Sequence, residues 1–163
     1  MRKTQGVILM LLAFLILGCG GGKGTTAELS GLLPETVGDW QRIQLVAGTE
    51  ALAKINQLHG KSIAVEAGAI GTYQKPGKHP AMVWISRSKT TAMARKQAEI
   101  MADKMVKNPR SPFHNPKTVQ VKKSKVHQFM GMGQIHYIFH RDRLVYWISA
   151  PPADGEKLLN EFL

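Results

Sequence analysis

Between positions 118 and 150 the chain passes through four stretches of alternating apolar and polar residues, at 118–123, 126–130, 134–140 and 143–150. Turns at Ser124, 131–133 and Arg141-Asp142 separate them. A parallel pair needs a crossover of a dozen or more residues. Connections this short therefore commit this part of the chain to an antiparallel meander. The same logic holds upstream. Positions 62–74 put Ile63, Val65, Ala67, Ala69 and Tyr73 on one side, Lys75-Pro76-Gly77-Lys78 reads as a turn, and 81–86 returns antiparallel. A first strand is expected over 40–46, and Gly68 and Gly71 mark a bend or bulge in the long strand.

Two main helices interrupt the strands. In the first, Thr49 is a good N-cap, Glu50 suits the first turn, Ala51, Leu52, Ile55 and Leu58 have helical spacing, and Gly60 ends the run. The second covers 89–107. Ser88 or Thr90 caps it, Ala94, Ala98, Met101 and Met105 trace one face with Met93 and Ile100 beside them, and Asn108-Pro109 stops it. Positions 109–116 (PRSPFHNP) read as a Pro-rich loop and the best candidate for a ligand-facing segment. Asp154 is placed to cap a short last helix that turns Leu158, Leu159 and Phe162 inward. Strand pairs on short turns, with helices between the groups, predict one α+β domain over 32–163. Its expected architecture is a single antiparallel sheet of about six strands with two main helices and a short C-terminal helix. This element order resembles the PsbP/Mog1-like sandwich, a resemblance that implies a non-enzymatic binding scaffold.

The first residues have a different logic. Arg2 and Lys3 precede an apolar run at 6–17, too short to span a bilayer comfortably, and small residues surround Cys19. The segment Leu15-Ile16-Leu17-Gly18-Cys19 resembles the lipobox of bacterial lipoproteins. That resemblance implies a signal peptide over 1–18 and acylation of Cys19, which becomes the first mature residue. Several acyl chains, each CH₂ contributing roughly 0.8 kcal/mol, would hold the chain on a membrane. Cys19 is the only cysteine, so neither an internal disulfide nor thiol catalysis is expected. The Gly-rich stretch 20–30 reads as a tether, and with Cys19 it makes up a 19–31 segment ahead of the domain. It is not a phosphate loop, because Lys23 is followed by Gly24 and no strand precedes it. Gly20, where an Asp would retain a lipoprotein at the inner membrane, implies an outer-membrane address in a cell with two membranes. The expected location is thus the envelope, lipid-anchored outside the cytoplasmic membrane or on the periplasmic side of the outer one. The segments LLPETVGDW, INQLHG and YWISAPP resemble a group of uncharacterised exported bacterial proteins, to which no activity is attached.

Charge narrows the partners. The chain carries 22 Lys and Arg against 11 Asp and Glu, a net +11. Between Arg87 and Lys125 stand eleven basic residues and only Glu99 and Asp103 as acids. Lys107, Arg110, Lys117, Lys122, Lys123 and Lys125 form the densest group, fit to meet an anionic envelope polymer, lipid phosphates or an acidic protein partner. Lysines on edge strands also block sheet-to-sheet aggregation. Nucleic acid is not expected at an exported location.

No catalytic constellation is legible. No serine has a G-x-S-x-G context, no carboxylate pair is suitably placed, and no cofactor is expected. His136 and His140 lie four apart in an alternating run, about 13 Å along a strand, too far to share a metal. His127, Met130, Met132 and His136 make a softer set, since thioethers favour Cu(I), although methionines more often fill irregular cores. The expected function is a non-catalytic binding or assembly module of the envelope. The alternative is a small-molecule or copper carrier, with a pocket between the sheet and the 89–107 helix or at the Met/His set.

Overall fold

The computed structural model describes residues 28–59 and 63–163. Eight strands form one sheet: β1 (Thr36–Val37), β2 (Trp40–Ala47), β3 (Val65–Gln74), β4 (Ala81–Ser88), β5 (Phe113–Val121), β6 (Ser124–Gly131), β7 (Gln134–Arg141) and β8 (Leu144–Ala150). Every neighbouring pair is antiparallel, in the order β1-β2-β3-β4-β8-β7-β6-β5. Three helices, α1 (Gly48–His59), α2 (Thr91–Lys107) and α3 (Gly155–Phe162), join a helical turn at 28–31. Signal peptide, Cys19, most of the tether and Gly60 lie outside the described residues.

The expected sheet of about six strands with two main helices, and with it the sandwich likeness, is corrected to this eight-stranded sheet. Two of the differences have clear causes. The two-residue β1 pairs Val37 with Trp40 and is too short to leave a period in the sequence. Strand β5 begins at Phe113, inside the run read as a Pro-rich loop. Pro116 has no N–H for a ladder, but β5 is an edge strand, and the register shifts between His114 and Lys117 with Asn115 at φ 52°. An edge bulge is where a sheet tolerates proline.

Both faces of the sheet are covered. One face carries Tyr73, Val83, Ile85, Tyr137, Phe139, Tyr146 and Ile148, packed with Leu158, Leu159 and Phe162 of α3. Leu29 and Leu33 complete this core, so it begins three residues ahead of the domain start read from the sequence. Arg87, buried at the end of β4, meets the exposed Glu28 carboxylate at 2.8 Å and pins that segment in place. The charged side chain of Arg42 donates to the Leu33 carbonyl, and Tyr73 Oη donates to the Pro34 carbonyl at 3.0 Å.

The opposite face is covered by α1 and α2. Ala94, Ala98 and Ala102 let α2 lie close over Phe129, Ile138 and Val145. Thr90 caps it, its Oγ1 accepting from Met93 N at 3.2 Å. Helix α1 packs on Val46 and Ile70 through Ala51, and Gly68 permits the approach, since a Cβ there would sit 2.5 Å from Ile55 Cδ1. The register shifts fall instead at Arg42/Gln44 and Val65/Ala67, which corrects the bulge expected at Gly68 and Gly71.

Asp154 does not cap α3 with its side chain. Its buried carboxylate faces Lys75 at 3.4 Å and Lys78 at 4.0 Å on the β3–β4 turn, a stronger attraction than one amide offers. Gly155 starts α3 against β7: a Cβ there would overlap Ile135 Cγ2 and lie 3.2 Å from the Tyr137 ring. Gly155→Ala would ordinarily gain up to about 1 kcal/mol at a helical position. Here it is expected to lose about 1–3 kcal/mol by overpacking, measurable as a lower denaturation midpoint.

Candidate functional site

A groove of about 620 Å³ runs between α2 and the outer hairpin β5–β6. It exists because α2 crosses β7 and β8 and leaves the outermost strands partly uncovered. Its floor is Phe129 and Ala102, and Ile100 and Val106 stand at its wall 46% and 55% exposed. Lys96 of α2, Lys117 of β5 and Lys125 of β6 ring it, with Glu99 and Asp103. Those two carboxylates are engaged: Glu99 faces Lys125 at 3.9 Å, and Asp103 faces Lys107 at 2.9 Å. Among the described residues Lys96 and Lys117 have no carboxylate in ion-pair range. The groove is therefore apolar below and cationic at the rim.

His127 lines the same groove, its Nδ1 3.2 Å from Thr118 Oγ1 across a directly paired position of β5 and β6. Burial, and then the Lys125 charge, lower its pKa, so the ring is neutral at neutral pH. The pair joins the two strands of the hairpin.

The six basic residues singled out in the sequence do not gather at one point. Lys107 and Arg110 lie at and just beyond the C-terminal end of α2. Lys122 and Lys123 turn the β5–β6 hairpin at the far end of β5, a nine-residue strand about 30 Å long. Lys117 and Lys125 lie between, at the groove. Lys122, at φ 52°, donates through Nζ to the Asn160 carbonyl at 3.2 Å, and Arg141 donates to the Phe162 carbonyl at 3.2 Å. Both cations thus cap the C-terminal end of α3, where unpaired carbonyls and the helix dipole favour them. Lys117 shares its edge strand with a proline and a bulge, the features that block strand addition.

The Met/His set is divided by the sheet. His136 pairs with Phe129 and faces α2, whereas Met130 pairs with Ile135 and packs with the other core. Met132 sits at a turn, 65% exposed. His136 has another task. Its Nε2 lies 3.0 Å from the Gly131 carbonyl, which only accepts, so Nε2 carries the proton. The single lone pair of Nδ1 is then shared by the Trp147 Nε1–H at 3.3 Å and the Ser149 hydroxyl at 2.9 Å. Phe113 meets the ring edge-on at 4.9 Å. Sequence reasoning missed this network because the alternation of 134–140 does not say which face of β7 is buried.

Gaps between α1 and α2 make two further hollows of about 220 and 300 Å³, with His59 and Met101 in both. Among the described residues no group of three His, Cys, Asp or Glu side chains gathers at metal-binding distance, and no helix is long and apolar enough to cross a membrane.

No known family profile and no curated protein matches the chain. A crystal structure of a GTP binding regulator from Thermotoga maritima is similar over 76% of this chain and 75% of that one, at 8% identity and a TM-score of 0.46.

Proposed function

We propose that the chain is a lipid-anchored, non-catalytic binding module of the bacterial envelope, and that the α2/β5–β6 groove receives an acidic, partly apolar segment of an envelope protein. The observation that carries this reading is the apolar floor under Lys96 and Lys117, two rim cations without carboxylate partners among the described residues. An extended acidic segment would bury its apolar side chains against Phe129, Ile100 and Val106 and meet the lysines with its carboxylates. The bulge and proline of β5 disfavour pairing along the strand edge, so the groove is the better seat. Cys19, in its lipobox-like context, supports the anchor.

Photo-cross-linking in intact cells tests this. A benzoylphenylalanine at Ile100 is expected to capture a discrete envelope protein that the same group at Ile43, exposed on β2 near the other sheet edge, does not. The Lys96→Gln/Lys117→Gln variant should weaken capture on the order of tenfold, and raised salt should mimic it. Capture equal at both positions, or indifferent to charge and salt, overturns the groove. The mass of the membrane-purified chain tests the anchor: loss of residues 1–18 with acylation of Cys19 is expected.

A further inference from the structure

The topology places several cationic turns at the end of the domain where the tether would arrive. Glu28, the first described residue, is held by Arg87 at the end of β4. The antiparallel register brings Arg87 beside Leu144 and Arg141 beside Leu144 on its other side, and Val121 beside Ser124. The β4–α2 link, the β7–β8 turn and the β5–β6 turn therefore share one end of the sheet with Glu28. They present Lys89, Lys122, Lys123, Arg141 and Arg143 there. The acids at that end are largely neutralised: Glu28 by Arg87, with Arg143 also lowering its pKa through its charge, and Glu66 by Arg143 at 3.8 Å. Asp142 remains, at the turn between Arg141 and Arg143, and Glu161 lies between the Asn160 and Phe162 carbonyls that Lys122 and Arg141 engage. Lys89 and Lys123 are exposed and, among the described residues, have no ion-pair partner.

We infer that this end of the domain docks on the anionic headgroups of the bilayer that holds the lipid anchor. The inference rests on the lipid-anchored reading above. About nine residues separate Cys19 from Glu28, a reach of at most about 30 Å when fully extended. The acyl group therefore keeps the Glu28 end within about 30 Å of the headgroups, whatever path the tether takes. Electrostatic attraction is screened within roughly 10 Å, so only cations that reach the surface count, and the end that carries Glu28 is the one the tether holds closest to it. Docking this way leaves the α2/β5–β6 groove on the flank, open to a protein partner. Each exposed cation near an anionic surface shifts the docked-to-undocked ratio about fivefold.

The full acylated chain, reconstituted in vesicles, tests the orientation. Cys19 is the only cysteine and is consumed by acylation, so one introduced cysteine takes a fluorophore selectively. Ala92→Cys reports on the docking end at the start of α2, and Ala153→Cys reports on the opposite end, between β8 and α3. Nitroxide-headgroup lipids should quench the Ala92 position strongly and the Ala153 position weakly when phosphatidylglycerol is mixed into phosphatidylcholine. In phosphatidylcholine alone the difference should shrink. Lys89→Gln with Lys123→Gln should lower the docked-to-undocked ratio about 25-fold in the anionic vesicles, and both positions lie outside the packed cores. Equal quenching at the two positions with an acylated Cys19 overturns the docking while leaving the anchor standing. A mass without acyl groups overturns the anchor, and the docking geometry with it.

Discussion

Phe139→Ala is expected to cost about 3–5 kcal/mol of folding stability and to lower the melting temperature on the order of 10–20 °C. Phe139 is fully buried on the face covered by α3 and the N-terminal segment. Its ring stacks on Tyr146 with centroids 4.8 Å apart and planes within 2°. Tyr146 in turn meets Phe162 of α3 at 6.5 Å. The loss therefore has three parts: the hydrophobic transfer of the ring, the cavity it leaves, and the looser seat of Tyr146. Phe139→Leu, which refills most of the volume, should restore much of the stability. Thermal melts of the three proteins read this directly. A drop below about 1 kcal/mol for the alanine variant would mean that this face is not a packed core.

His136→Leu is expected to cost about 3 kcal/mol or more, despite putting an apolar side chain into an apolar site. The imidazole is buried and satisfies three groups, the Gly131 carbonyl, the Ser149 hydroxyl and the Trp147 indole N–H. Leucine leaves them without partners, at about 1–3 kcal/mol for each that stays buried. The same residue gives the wild type an acid dependence. Burial lowers the pKa of His136 in the folded state, with the Gly131 carbonyl opposing in part. An unfolded histidine titrates near about 6.5. Below that pH the unfolded chain takes up a proton that the folded chain resists. Stability is thus complete above about pH 6.5 and falls as the pH drops toward the lowered folded value. Denaturant midpoints between pH 8 and pH 5 should decline in the wild type and decline less steeply in the leucine variant. His127, also lowered, keeps part of the slope. Parallel pH profiles for the two proteins would show that His136 does not titrate against folding.

Period and turn chemistry reach only part of this structure. The alternation from 118 onward was legible because each hairpin is local: a strand, a two-residue turn and the returning strand lie within one stretch of chain, although the first turn falls at Lys122-Lys123 and Ser124, read as the turn, opens β6. Helix α2 was legible because its alanines and methionines recur at helical spacing and Thr90 stands at its start. The strand through Asn115-Pro116 was not. Proline argues against a strand until one knows that it lies on an edge, and edge position belongs to the assembled sheet. The side chain of Asp154 likewise has a choice between its own helix and the lysines of the β3–β4 turn, and only the packed structure makes the latter available.

The candidate site divides in the same way. Composition marks 87–125 as the basic stretch of the chain, but linear density does not say which cations converge. Two of the six residues turn the β5–β6 hairpin, Lys122 capping α3 from there, two flank the groove, and two lie by the end of α2, because a nine-residue strand carries its two ends about 30 Å apart. The groove itself has no counterpart in the sequence, since its walls are a helix and a hairpin brought together by the crossing of α2 over β7 and β8. By itself, then, the sequence determined the antiparallel habit of the chain, the helix spacing and the regional charge, all set by neighbours a few residues apart. Strand number, the edge, the role of His136 and the groove were decided by tertiary structure, because each depends on which distant segments exclude water together.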